Sequence, residues 1–317
     1  MVITVLNIPN FYSSYYLLGL HQEFKIRFKK DSRFVKYYNR PFLIFKVNDK
    51  IGVINNDDPS SVIKELYDLS TLYFVTNKLK DEYSYSQEKV KPLFPHYPIN
   101  ILLLYLRIFG FNLFIFLKFK DIIHEIYTYI RRPHYKNQEI RNLKKDYVFF
   151  SARIWKKESE ANRIRAEFIK FCKSESRIKF EGGFVPRIDG KNLGFDNEVN
   201  KLNYSAVTFS KLSARSKVVL NNPAVGGAVS WRLAEYLNQG LFVLSFPFKI
   251  ELPQNLDHGK ELHFVESTME YKTVFDKIFD EPDYHEKVSR NGKYYFDSFC
   301  TPRAQAKYII DLLLRYE

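Results

Sequence analysis

Cysteine is nearly absent from this chain. Cys172 and Cys300 are the only two among 317 residues. Neither falls in a CxxC or Cys/His spacing, which excludes a disulfide framework and a thiolate zinc site and points to a reducing compartment. Cys172 lies in an apolar stretch and reads as a small core residue. GxSxG, the P-loop lysine motif, HExxH and GxGxxG are all missing, and no clear DxD metal loop stands in for them. The start, MVITVLNIPN, lacks the basic region of a secretion signal and reads as a first buried strand. A membrane-crossing run is absent too. The best candidate, Ile101 to Leu117, is seventeen residues long and interrupted by Arg107, Gly110 and Asn112, at the short edge of what spans a bilayer. Arg107 at mid-span would cost roughly 2.5 kcal/mol or more in hydrocarbon. A buried helix, or one lying in the membrane interface, accounts for this segment better.

What is present suits a two-domain globular chain. The length exceeds one ordinary domain, and a hydrophobic fraction of 45% allows a sizeable core. Aromatics reach 17%, mostly Tyr and Phe. The formal charge of +13 favours anionic partners, whether nucleic acid, anionic lipid or phosphorylated substrates, against the plainer reading of a solvated basic surface.

Residues 1–145 and 146–317 read as separate units. The first holds strand candidates Val2–Ile8, Phe42–Val47, Ile51–Ile54, Thr71–Thr76 and Val90–Phe94. Asn48-Asp49-Lys50 makes a hairpin turn, and Ser60–Tyr67 a helix that Asp58 or Ser60 could cap. From about Lys118 to Lys145 the chain turns basic and is broken by Pro133, the expected linker. The second unit alternates strands (Tyr147–Ser151, Ile178–Phe180, Lys217–Leu220, Leu241–Ser245) with helices (Glu158–Cys172, Trp231–Asn238 and three more towards the end). Tyr204–Ser210 reads as helix or turn. This alternation predicts a parallel, doubly wound sheet. Gly240 is placed to stop the helix at Trp231–Asn238, and Pro302 to start the last one.

In such sheets ligands bind beyond the carboxyl ends of the strands. Three loops there carry suitable groups. After Tyr147–Ser151, Arg153 can fork onto a diphosphate and Lys157 can add a point charge, beside a helix N-terminus that favours anions. Ordinary surface basicity is the alternative. After Lys217–Leu220, Gly226-Gly227 lets the backbone approach a ligand and offer N–H groups to phosphate, unless it is only a turn. On the helix Trp231–Asn238, Glu235 shares a face with Arg232 and Trp231. A carboxylate there could accept both ribose hydroxyls, or simply pair with Arg232.

The run RLAEYLNQGLFVLS followed by FPFKIELPQNLDHGKELHFV resembles the donor-binding segment of GT-B glycosyltransferases, and FFSARIWKK resembles the first strand and loop of their second domain. The resemblance covers roughly Tyr147 to Phe299. It implies an α/β fold of two Rossmann-like domains facing across a cleft. It also implies a nucleotide-sugar donor whose diphosphate Arg153 and Lys157 hold and whose ribose hydroxyls Glu235 takes, with Gly226-Gly227 and Ser245 to Glu251 bordering the sugar; Arg232, on the face of Glu235, is a further donor-site candidate. Many retaining members carry two glutamates with seven residues between them, and here Gly227 stands where the first would be.

The first unit would then supply the acceptor side, a saccharide or lipid-linked saccharide for surface polysaccharide. The missing first glutamate leaves inversion or retention open; if the reaction inverts, a base needs hydrogen-bond reach to the acceptor hydroxyl. Asp58, in NNDDPSS, and His96, in LFPHYPIN, are the candidates. Asp57-Asp58-Pro59-Ser60 is also a good turn and cap, and His96 could be a surface loop residue. Neither metal nor cofactor is expected, cations and helix N-termini stabilising the departing diphosphate instead. The setting expected is the cytoplasm, at the inner face of an anionic membrane to which the basic stretch and Ile101–Leu117 would adhere. Two alternatives remain. One is a nucleic-acid-binding protein, disfavoured because the aromatics lie in apolar runs rather than among Lys and Arg. The other is a catalytically idle relative acting as an assembly partner.

Overall fold

The computed structural model describes residues 1–58, 61–140 and 146–316. Its first sheet has six strands: β1 (Val2–Val5), β2 (Lys25–Phe28), β3 (Phe42–Val47), β4 (Lys50–Asn55), β5 (Leu72–Val75) and β6 (Val90–Pro92), in the order β2-β1-β3-β4-β5-β6. β3 pairs antiparallel with both β1 and β4, while the remaining pairs are parallel. It is therefore a parallel sheet with one reversed strand inserted by the β3–β4 hairpin. Its turn is Asn48-Asp49, with Asn48 at φ +51°, the left-handed conformation that asparagine tolerates and a tight hairpin needs.

Helix α1 (Ser14–Glu23) covers this sheet, and α2 (Lys64–Leu69) leads into β5. No side chain caps α2 at its N-cap, Ile63, so Asp58 is free of the capping role read for it, and Ser60 lies outside the described residues. The apolar segment from Ile101 is not one helix. Gly110, at φ +49°, breaks it into α3 (Leu102–Phe109) and α4 (Asn112–Phe116). What reads as the start of a basic linker is a helix, α5 (Phe119–Ile130), with Ile122, Glu125 and Tyr129 on its buried side. The rest of that stretch includes residues 141–145, among them Arg141, Lys144 and Lys145, which lie outside the described residues.

The second half builds β7 (Tyr147–Arg153), α6 (Ser159–Ser174), β8 (Lys179–Val185), α7 (Ala206–Ser213), β9 (Val218–Asn221), α8 (Arg232–Asn238), β10 (Phe242–Ser245) and β11 (His263–Phe264). β8 runs on through Gly182-Gly183, where the sequence suggested an end. Parallel ladders join β7 to β8, and β9 through β10 to β11. The Lys217 N–H donates to the Tyr147 carbonyl at 2.8 Å and the Phe149 N–H to Ser216 Oγ at 2.9 Å, which sets β9 beside β7. The resulting order, β8-β7-β9-β10-β11, reverses direction between β7 and β9, and a ligand crevice opens at such a reversal.

Three helices finish the chain: α9 (Tyr271–Asp280), α10 (Pro282–Tyr295), which continues into a π-helical turn, and α11 (Pro302–Arg315). Helix α11 returns to pack on α1. Gly19 permits this crossing, since a Cβ there would stand 1.9 Å from the Pro302 carbonyl oxygen. One apolar cluster accordingly runs from Ile3, Tyr16 and Phe45 through Leu233, Leu237 and Val243 to Ile310 and Leu313.

Candidate functional site

Between the carboxyl edges of the two sheets lies a cavity of about 690 Å³. The loops after β4 and β5 bring Asn56, Asp58 and Asn77 to its wall, and the end of α5 brings Tyr127, Arg131 and Arg132. From the opposite side come Arg153 at the end of β7 and Trp155 after it, Phe209 on α7, and Trp231, Arg232 and Glu235 at the start of α8. Both tryptophans of the chain therefore face this space.

Four guanidinium groups and two carboxylates meet here. Arg153 is exposed and makes no side-chain hydrogen bond or ion pair among the described residues. Arg232 donates from Nη2 to the Ser151 carbonyl at 2.7 Å and lies 4.6 Å from the Phe209 ring centroid; the alternative pairing with Glu235 is not formed. Arg132 stands against the rings of Phe11 and Trp231, at 5.2 and 5.5 Å, and burial lowers its pKa. Burial raises the Glu235 carboxyl, opposed by the Ser210 hydroxyl and the charges of Arg232 and Arg132. These surroundings leave the cavity with an excess of positive charge, which suits a di-anionic ligand.

Beneath the wall sits a cation that the sequence did not single out. Arg165, on α6, is 1% exposed, with its guanidinium 3.5 Å from the Trp155 ring centroid. It donates to the carbonyls of Arg153 at 3.1 Å and Pro223 at 3.4 Å, tying together the two loops that frame the switch point. Burial first, then the charge of Arg232, lowers its pKa to about 9. Asn162 fixes the same loop by accepting from the Trp155 N–H at 3.0 Å and donating to its carbonyl at 2.7 Å.

Of the residues expected at the donor site, Arg153, Arg232 and Glu235 come together in the cavity wall, and Asp58 faces them from the first sheet. Partial burial, and then the neighbouring charge of Asp57, raises the Asp58 carboxyl. Four expected residues stand elsewhere. Lys157 is exposed but lies outside the wall, which turns away after Trp155. The Gly226 N–H is already taken, donating to Glu158 Oε1 at 3.2 Å. Gly227 backs onto Lys249 and Leu79 and borders a separate small cavity. The two glycines serve the bend, at φ +61° and +84°, which residues bearing a Cβ adopt at a cost. His96 is buried between Tyr15 and Tyr16, at ring-centroid distances of 6.1 and 5.1 Å. Burial lowers its pKa to about 3, so it is a neutral core residue rather than a base facing an acceptor.

Arg131, Arg132, Trp155 and Trp231 are among the wall residues left without a role by the sequence reading. The signal for the two arginines was the adjacent Arg131-Arg132 before Pro133, which also fits a basic linker. Among the described residues no three His, Cys, Asp or Glu side chains gather as a metal site. Cys172 and Cys300 are both buried and free.

No family model matches the chain, and no curated protein matches it. Among solved structures it is similar to TarM, with a TM-score of 0.50 and 11% identity over 94% of this chain and 57% of that one. It is also similar to HepE from Anabaena in complex with UDP (TM-score 0.48, 11% identity, 80% of this chain and 66% of that one). A third is the C-terminal domain of a glycosyl transferase group 1 family protein from Francisella tularensis (TM-score 0.36, 18% identity, 50% of this chain and 87% of that one). The chain thus spans just over half the length of TarM. Together with two largely parallel sheets that face each other across an arginine-lined cleft, the likeness to TarM shows that this chain has the GT-B glycosyltransferase-like fold.

Proposed function

We propose that the cleft binds a sugar nucleoside diphosphate and transfers the sugar to a hydroxyl of a saccharide or lipid-linked saccharide, in surface polysaccharide synthesis at the inner face of the plasma membrane. The observation that carries this reading is the Arg153 guanidinium at the β7/β9 switch point, without a partner among the described residues, with Arg131, Arg132 and Arg232 in the same wall and Asp58 opposite. Guanidinium forks match diphosphate oxygens and stabilise the charge that develops on a departing diphosphate. In a single displacement the Asp58 carboxylate takes the acceptor hydroxyl proton as the acceptor oxygen bonds to the anomeric carbon. The bond from that carbon to the diphosphate breaks, and its electron pair leaves on the diphosphate oxygen. Glu235, half-buried beside Arg232, accepts ribose hydroxyls in this reading. The arginines supply the positive charge that a metal provides in other transferases, so no cofactor is invoked.

Trp155 and Trp231 make the test direct. Titration with UDP, GDP and CMP should change intrinsic fluorescence saturably for one base. Incubation with the matching sugar nucleotide should release nucleoside diphosphate, by transfer or slow hydrolysis. Binding without either reaction would mark an idle relative. A response to single-stranded oligonucleotide alone, steeply dependent on salt, would replace the transferase reading with nucleic-acid binding.

A further inference from the structure

Helices α3, α4 and α5 pack on one another and leave an unusual amount of apolar side chain in water. Leu103 is 80% exposed, Phe111 75% and Phe119 70%. Phe114 and Ile115 join them from α4. On α5 the stripe continues from Phe119 at spacings of four, four and three through Ile123, Tyr127 and Ile130, all exposed, along one helical face. The side of α5 that carries Ile122, Glu125 and Tyr129 is already buried, so core packing does not account for the outer stripe. Isolated exposed apolar residues are ordinary, but a contiguous set of this kind marks an interaction surface.

Charge decides the partner. Arg107, Lys118, Lys120 and Arg131 are exposed on these helices or at their ends, and Lys30 stands 5.0 Å from the Phe116 ring centroid. Arg107, Lys118 and Lys120 make no ion pair among the described residues; of the acidic residues on these helices Asp121 is half-exposed and Glu125 buried, and Asp31 beside Lys30 is paired with Arg33. A second copy of the chain would bring like charges face to face. An anionic bilayer instead takes apolar side chains into its interface while lysine and arginine reach its headgroups. No described helix is long and apolar enough to cross a membrane, so the contact is one in which helices lie in the interface plane.

We propose that the outer face of α3, α4 and α5 docks this protein on an anionic lipid bilayer, with the cleft opening beside the docked face. The second part follows from Tyr127 and Arg131, which belong to the end of the α5 stripe and also line the cleft. A lipid-linked acceptor held in the bilayer would thereby enter along α5 towards Asp58. This rests on the membrane setting of the proposed function but not on sugar transfer, so loss of docking would remove the setting and leave the donor chemistry standing.

Flotation of the full chain with vesicles tests this, using phosphatidylcholine mixed with phosphatidylglycerol, and phosphatidylcholine alone. The chain should float with the anionic vesicles and lose about tenfold or more of that affinity in the triple variant Phe114→Ser, Ile115→Ser, Phe119→Ser. Lys118→Glu with Lys120→Glu should abolish the preference for phosphatidylglycerol. A second readout needs no loss of apolar surface: a polarity-sensitive dye on Ile115→Cys, with both native thiols buried, should shift to the blue on anionic vesicles. Absence of flotation and dye shift in the otherwise native chain would overturn the proposal. So would a triple variant that floats like the native chain, or a native dimer in light scattering that the triple variant dissolves.

Discussion

Arg153 is the least committed cation of the cleft, exposed and bonded to no side chain or carbonyl among the described residues. Arg153→Ala should therefore move the melting temperature little. Loss of one charge-assisted contact, about 1.5–3 kcal/mol, should raise the nucleoside diphosphate Kd roughly 10- to 100-fold, and Glu235→Ala should likewise cost more in binding than in melting temperature. Equal losses of binding and stability, measured by fluorescence titration and thermal melts, would make both residues structural. Asp58 is argued differently. Asp58→Asn should slow transfer by about 10²–10⁴ while leaving nucleotide affinity intact. Because Asp58 acts as the charged base and its pKa is raised by burial and by Asp57, activity should fall as pH falls, with a midpoint above the ordinary aspartate value. Asp57→Asn should shift that midpoint down, and a pH–rate profile that ignores both substitutions would remove Asp58 from the mechanism.

Helix α5 carries a second titratable group with a consequence at its own scale. Burial pushes the Glu125 carboxyl up to about 8, against a single backbone N–H bond from Phe11, and its Oε2 has no partner. Between the ordinary value of 4.5 and about 8 the folded chain holds this proton while the unfolded chain releases it. Stability from this group is complete at the acid end of that window and is lost as pH rises through it, on the order of a few kcal/mol. Glu125→Gln should melt higher than the native chain near pH 8, and the gap should close towards pH 4.5. His96 works in the opposite sense. It is neutral in the fold, so its contribution is lost as pH falls from the ordinary histidine range towards about 3, and comparison at equal pH cancels it. Where α1 crosses α11, Gly19→Ala should cost about 1–3 kcal/mol in urea melts, since a backbone carbonyl rather than a pliable side chain opposes the new methyl.

At the scale of the molecule the shared apolar cluster makes the two sheets one cooperative unit. Side chains of α1, α8 and α11 belong to the same cluster. Tryptophan fluorescence and far-ultraviolet circular dichroism should therefore report one coincident urea transition. Removing residues from Thr301 onward should abolish it rather than unfold the second half alone. Two separated transitions in the full chain would show instead that each half folds on its own. For catalysis, charge compensation by arginine predicts that transfer survives EDTA with its rate unchanged, and restoration by an added divalent ion would contradict that account.

The amino-acid sequence by itself determined where many strands and helices lie, because apolar runs between turn residues are local signals. Phe42–Val47 as β3, the Asn48-Asp49 turn, Pro302–Arg315 as α11 and the stop at Gly240, which has φ +64°, all follow from chemistry within a few residues. Arg153, Arg232 and Glu235 were legible for the same reason, standing at strand ends or on one helical face. What only the tertiary structure decided depends on partners far along the chain. The helix α1, SYYLLGLHQE, has no clear polar face because α11 covers what solvent would otherwise wet. His96 could be a base or a surface loop residue by sequence, and Tyr15 and Tyr16, which enclose it in the core, make it neither. Asp58 and Arg153 come to share a cavity only because two sheets meet, and the exposure of Phe111, Phe114 and Phe119 is a property of how three short helices pack. Periodicity reveals that a face is apolar; which surface meets it is fixed by contacts that no local pattern encodes.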